Sequence, residues 1–359
     1  MRKDPVRFRF AGLEIPRNSE TDIKLKVSET YSGDEVRVPM RVLRGRKPGP
    51  IVFITAAVHG DEINGTGIIH DFLYHDRFPL KAGTLILVPV VNVFGFENNE
   101  RYMPDRRDLN RSFPGSITGS LSSRIAQSIH SELILKCHFG IDLHTAAFQR
   151  TNFPNVRADL KNPGCRELAR AFGGTLVVDG KGPDGSLRKE ATRSGVPTII
   201  LEAGEPFKME STVLEFGIRG INNVLRSLGM MDGKIHKPPF QAEIRKTTWL
   251  RAEVGGILRF AVEPGAFVSR GDTIANNFSI LGAEQRNIIA PADGIILGMT
   301  TMPAVKPGEP ICHLAFPTRK ISVYKQHFEN RSEEMDANER EELLSRGIPH
   351  VQTEPVFTD

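Results

Sequence analysis

Apolar residues in this chain come in short blocks separated by amphipathic stretches. Residues 23–42 alternate in short runs around Ser32-Gly33-Asp34. Period-two runs flanking a turn signal predict a β-hairpin. A Gly/Pro segment, 44–50, reads as a loop. Strand-length apolar runs follow at 51–58, 84–91, 139–143, 174–178 and 198–201. Helical spacing separates several of them, at 65–73, 122–135, 162–172 and 212–228. Buried strands alternating with helices predict an α/β sheet covered on both faces. Near residue 235 the texture changes. Lys237-Pro238-Pro239 reads as a linker, and 242–315 holds short β-like runs, many glycines and no helical pattern.

Composition narrows the function classes. The chain has 359 residues, enough for two or three domains, and is 39% hydrophobic. Its 47 basic and 43 acidic side chains are dispersed, giving a net charge of +4 without a basic block. That pattern argues against a nucleic-acid or membrane partner. Cys137, Cys165 and Cys312 are odd in number and lack metal-ligand spacing, which points to a reducing compartment. The basic start has no apolar run behind it, and no window reaches the roughly 20 apolar residues of a membrane span. A cytoplasmic protein is expected.

Three strings carry chemistry: VHGDE at 58–62, DLNRSFPG at 108–115 and DLHTA at 142–146. The first puts His59 and Glu62 three residues apart after one apolar run. The third puts His144 after another. In open α/β sheets, ligands collect outside the carboxyl ends of the strands. Two imidazoles and one carboxylate suit a zinc ion, one per chain, with a fourth position open. Asp142 leaves its strand on the same face as His144 and could orient that imidazole, or cap a helix. The remaining histidines lack such context. A fourth string, LEAGE at 201–205, follows another predicted strand.

Over residues 51–228 the chain resembles the succinylglutamate desuccinylase/aspartoacylase family, related to zinc carboxypeptidases. VHGDE, DLNRSFPG, DLHTA and LEAGE stand in the family's order. The resemblance implies a zinc carboxypeptidase-like mixed sheet flanked by helices. It implies His59, Glu62 and His144 as zinc ligands and Glu202 as general base, with Glu205 the near competitor. Asn110 and Arg111 match the pair that grips a substrate carboxylate. Arg101 matches the arginine that stabilises the oxyanion, although its spacing to Arg111 differs by two residues from aspartoacylase, and Arg106 and Arg107 lie between. Arg193, in Thr192-Arg193-Ser194, matches an arginine on an acyl-side carboxylate, one residue closer to the base than in aspartoacylase. Arg188 competes for that role.

The C-terminal segment resembles a biotinyl/lipoyl-type β-sandwich through 264–272 and 290–296. Its tip, 281–285, lacks the lysine that carries a prosthetic group. A structural or interfacial role is therefore expected. The expected division is a catalytic domain over 1–235, with a hairpin region at 1–46, a β-sandwich over 236–320 and a charged tail over 321–359. Residues 332–346 read as an exposed helix or ordered tail. The expected function is a zinc-dependent deacylase of an N-acyl amino acid or similar small amide. Two alternatives remain: a metallocarboxypeptidase on small or γ-glutamyl peptides, and a non-catalytic binding protein. Whether the chain forms a homo-oligomer is left open.

Overall fold

The computed structural model describes residues 5, 7–74, 80–282, 285–324 and 326. The expected helix at 332–346 lies outside them, as does part of the 281–285 tip. The expected hairpin forms from β1 (Ser19–Glu29) and β2 (Glu35–Arg44), paired antiparallel. The N-terminal half continues through β3 (Lys47–Ala56), α1 (Asn64–Tyr74), β4 (Ala82–Val88), α2 (Leu121–Glu132) and β5 (Phe139–His144). Next come β6 (Arg150–Ala158), α3 (Pro163–Phe172), β7 (Leu176–Asp179), α4 (Leu187–Arg193), β8 (Thr198–Gly204) and α5 (Ser211–Ser227). The C-terminal half adds β9 (Ala242–Arg251), β10 (Phe267–Val268), β11 (Gly294–Thr300) and β12 (Pro310–Pro317).

Among the described residues these strands form one twelve-stranded mixed sheet, ordered β10-β11-β12-β9-β7-β6-β8-β5-β3-β4-β2-β1. Strands β8, β5 and β3 are neighbours and parallel. Alternation within β3 feeds both faces of the sheet. Val52 and Ile54 pack on the side of α1, α3 and α5, whereas Ile51 and Phe53 pack on the side of α2. Helix α3 starts and stops where its sequence says: Asn162 accepts from the Cys165 N–H, and Gly173 ends the helix in the left-handed region.

The chain departs from the expected pattern in several places. Segment 44–50 is not wholly a loop, because β3 begins at Lys47. Gly49 permits this, since a Cβ there would lie 2.6 Å from the Gly83 backbone nitrogen. Strand β6 had no apolar signature, because it carries Arg150, Asn152, Pro154, Asn155 and Arg157 among its nine residues. Helix α4 is too short to print a period on the sequence.

The C-terminal strands do not hang from a linker. Strand β9 pairs parallel with β7, and β11 pairs antiparallel with β6 as well as with β12. Five strands, β6, β7, β9, β12 and β11, thereby close a ring. A separate four-stranded sheet, built from Gln285–Ile289, Thr273–Phe278, Gly256–Phe260 and Ala304–Val305, completes the sandwich. No helix among the described residues is long and apolar enough to cross a membrane.

Candidate active site

The carboxyl ends of β3, β5 and β8 meet at one rim, and the chemistry of the sequence motifs meets there with them. Beyond β3, Ala57 takes a left-handed turn (φ 47°), and His59 follows two residues later. A non-glycine in that region is a strained conformation that persists only where its surroundings enforce it. Gly60 is required for a different reason: its Cβ position lies 2.0 Å from the Gly95 carbonyl carbon, so no side chain fits. His144 is the last residue of β5, and Glu202 lies opposite it in the β8–β5 register.

His59, Glu62 and His144 are buried, and their ligand atoms lie within 4.8 Å of one another. Glu62 bridges the two rings, with Oε1 2.7 Å from His59 Nδ1 and Oε2 2.8 Å from His144 Nδ1. The Thr145 N–H also donates to Glu62 Oε2, at 3.0 Å. Each imidazole meets a second carboxylate through its other nitrogen. Asp108 Oδ1 is 3.1 Å from His59 Nε2, and Asp142 Oδ2 is 2.8 Å from His144 Nε2. Asp142 is itself held by the Thr55 hydroxyl at 2.7 Å. Carboxylates behind ligand histidines fix tautomer and ring direction and raise ligand basicity. Asp142 thus bears on His144 and not on a helix end.

The electrostatics ask for positive charge. Burial disfavours a charged imidazole, but Asp142 and Glu62 push His144 well above its ordinary value, and Glu62 and Asp108 raise His59 likewise. Burial would raise Glu62, yet the two imidazoles hold it well below the usual carboxylate range. A cluster whose carboxylates favour positive charge at both rings is one that a divalent cation suits. The donor set, two nitrogens and one carboxylate, fits zinc.

Arg101 donates to Glu62 Oε1 at 3.0 Å and to Asp108 Oδ2 at 3.2 Å, and it lines the cleft. Arg106 and Arg107 do not line it, and Arg107 is exposed beside Asp105. Asp108 caps the short turn Leu109–Arg111 by accepting from the Asn110 N–H. Asn110 is buried, and its Oδ1 accepts from the Leu187 N–H at 2.8 Å. Arg111 donates to the Asn110 carbonyl at 2.6 Å and lines the cleft. Glu202 lies at the edge of the same cavity, whose volume is about 320 Å³. Glu205 is turned away from the cavity and pairs with Lys208 at 2.9 Å.

Arg193 is the site residue whose expected placement fails. Its side chain is 79% exposed and reaches Glu190 at 3.5 Å, outside the cavity. It stands at the end of α4, whereas Arg188, the second residue of that helix, is buried and lines the cleft. Among the described residues, Arg188 Nε and Nη1 have no hydrogen-bond partner. Burial and Arg157 push its pKa down to about 10.

Sequence reasoning missed several cleft residues, five of which bear on the chemistry. Asn152 and Arg157 of β6 address the Glu202 carboxylate, at 3.1 Å from Oε2 and 3.5 Å from Oε1. Arg150, Trp249 and His313 form a wall. Trp249 and His313 are cross-strand partners on β9 and β12, stacked at 4.4 Å with a 5° interplanar angle, and the Arg150 guanidinium lies 5.0 Å over the indole. Burial, with Arg157 and Arg150 nearby, pushes His313 down to about 4. The only prior signal was aromatic: Trp249 is the sole tryptophan, inside a β-like run.

The sequence pattern described as the succinylglutamate desuccinylase/aspartoacylase catalytic domain matches residues 48–228, half of the chain. The chain belongs to this family. It is 24% identical over 336 residues to the N-alpha-acetyl-L-2,4-diaminobutyric acid deacetylase of Halomonas elongata, covering 88% of this chain and 98% of that one. Its fold is similar to that of a succinylglutamate desuccinylase/aspartoacylase from Rhodobacter sphaeroides (TM-score 0.74, 24% identity, 84% of this chain and 97% of that one). It is also similar to the product-bound ectoine utilization protein EutE (DoeB) from Ruegeria pomeroyi, with TM-score 0.73, 22% identity and the same two coverages. The fold is thus a mixed α/β architecture of this family with an added C-terminal β region.

Proposed function

We propose that the protein is a zinc-dependent deacylase that hydrolyses the amide bond of an N-acyl amino acid or a similar small amide. One observation carries the reading. Glu202 stands beside His144 on the neighbouring strand, at the rim where His59 and Glu62 complete a buried metal-ligand set. His59, Glu62 and His144 would hold the metal. When bound, zinc supplies Lewis acidity toward a carbonyl and lowers the pKa of water. Glu202 accepts a proton from the attacking water at its carboxylate and returns it to the departing amine. Asn152 and Arg157 hold that carboxylate in place. Arg101 stabilises the negative charge that develops on the scissile carbonyl oxygen.

Arg111 grips the carboxylate of the amino acid, because a planar guanidinium matches it as a two-pronged donor. With the Asn110 Oδ1 committed to Leu187, the amide's NH₂ is the end turned to a ligand. Arg188, rather than Arg193, is the guanidinium for a second anionic group on the substrate. A buried guanidinium with two unpartnered nitrogens supports that reading. The relative from Halomonas elongata, a deacetylase of an acetylated diamino acid, supports the reaction class.

The metallocarboxypeptidase alternative is disfavoured by the wall of Trp249 and His313, which leaves a cavity suited to small molecules. A purely binding protein would not need Glu202 next to a metal-ligand set. A mass-spectrometric screen of acetyl-, succinyl- and related amides with the zinc-loaded protein tests the reading. Release of a free amino acid from one acyl class supports it. Turnover of peptides alone would replace it with the carboxypeptidase reading.

A further inference from the structure

Arg150 has an unusual position for a cleft arginine. Among the described residues its guanidinium meets no carboxylate. Its charged neighbours are Arg251 and Arg101, which together with burial lower its pKa. The contact that holds it is the Trp249 ring, itself stacked on His313. Beside this group lies a second cavity of about 430 Å³, whose wall mixes apolar side chains, Phe148, Met302 and Ala304 among them, with Thr300, Lys306 and Glu309. Arg150 is the one described residue that borders both cavities. Its backbone is fixed from the far side, because Arg150 pairs with Thr300 in the β6–β11 register and the neighbouring Gln149 carbonyl accepts from the Thr300 hydroxyl.

We propose that Arg150, braced on the Trp249–His313 pair, is the partition that sets substrate length, closing the catalytic cleft off from an adjoining pocket with a partly apolar wall. The inference rests on the deacylase reading for the kind of molecule in the cleft. Arg111 and Asn110 belong to the loop wall at 108–115. Arg150, Trp249 and His313 belong to the wall built from β6 and the C-terminal strands. The substrate end that meets the partition is therefore the one Arg111 does not hold, the acyl group. Short acyl groups fit in front of Arg150. With the guanidinium gone, an unbranched apolar acyl chain can run on into the second pocket. Each methylene buried there is worth roughly fourfold in binding.

The test compares zinc-loaded full-length parent, Arg150→Ala, Arg150→Met and Arg150→Ala/Ala304→Trp. Each is assayed with the acetyl, butyryl, hexanoyl and octanoyl amides of one amino acid. In the parent, kcat/KM falls with chain length. In Arg150→Ala the hexanoyl-to-acetyl ratio rises by at least about tenfold, and filling the second pocket with Ala304→Trp removes the gain. Arg150→Met, which keeps the volume, leaves the ratio near that of the parent. An unchanged ratio in folded, metal-loaded Arg150→Ala overturns the partition. So does a gain that survives Ala304→Trp. Calorimetric titration with acetate and octanoate separates the two readings. If the parent hydrolyses none of the amides but octanoate binds only after Arg150→Ala, the deacylase reading fails and the partition stands. If octanoate binds parent and variant equally, the partition fails whatever the activity.

Discussion

At the scale of single residues the account rests on a division of labour around Glu62. His59 and His144 offer one nitrogen each to the centre and the other to Asp108 and Asp142. Replacing either histidine with Ala should remove metal and activity together, and full metal content by elemental analysis would contradict the assignment. Glu202→Gln should keep the metal and lose turnover by about 10²–10⁴-fold, the usual scale for a lost general base. Arg111→Lys keeps the charge but loses the fork. It should damage hydrolysis of an acyl amino acid far more than that of its carboxamide analogue, and additive effects in that cycle would make Arg111 a structural residue. His313 gives a pH prediction. Its folded pKa, about 4, lies below the ordinary 6.5, so the unfolded chain binds the proton more readily. The stability it contributes is present above pH 6.5 and is lost as pH falls toward 4. His313→Asn should flatten that part of the fall in urea midpoint, whereas parallel curves would mean that the ring is not held neutral.

At the scale of elements, what was legible depended on whether a residue's surroundings leave a local pattern. The β1–β2 hairpin, the parallel strands β3, β5 and β8, and helices α1, α2, α3 and α5 left theirs in apolar periodicity. The motifs VHGDE, DLHTA and LEAGE sit on the ends of those strands, so the metal-ligand and Glu202 positions could be anticipated. Strand β6 left none. Its polar side chains are satisfied by groups distant in sequence: Asn152 by Glu202, and Asn155 by the Glu202 carbonyl. Arg193 was misplaced because spacing to Glu202 is read along the chain, while the side that a residue of α4 presents is set by packing. Gly60 shows the converse, a short string that encodes a tertiary contact. Gly60→Ala puts a methyl into the Gly95 backbone, so it should lower both Tm and metal affinity. Unchanged metal binding in that variant would mean that the loop bearing His59 relaxes freely.

At the scale of the whole molecule, the C-terminal β segment lines the candidate site and joins the central sheet. Its carrier-like strings announced strands and turns but could not announce that β9 would pair with β7 or that Trp249 and His313 would face the cleft. Those are long-range pairings, between strands far apart in the sequence. Because β9–β7 and β11–β6 close a ring, thermal unfolding should follow one cooperative transition, and two separated transitions would show independent halves. The most direct measurement of the central claim is quantitation of free amino acid released from an N-acyl amino acid by the zinc-loaded protein, before and after chelation and in Glu202→Gln. The account predicts release that stops with chelation, returns with zinc and is nearly absent in Glu202→Gln although the metal is retained. Release that is indifferent to chelation, or undiminished in Glu202→Gln, would contradict it.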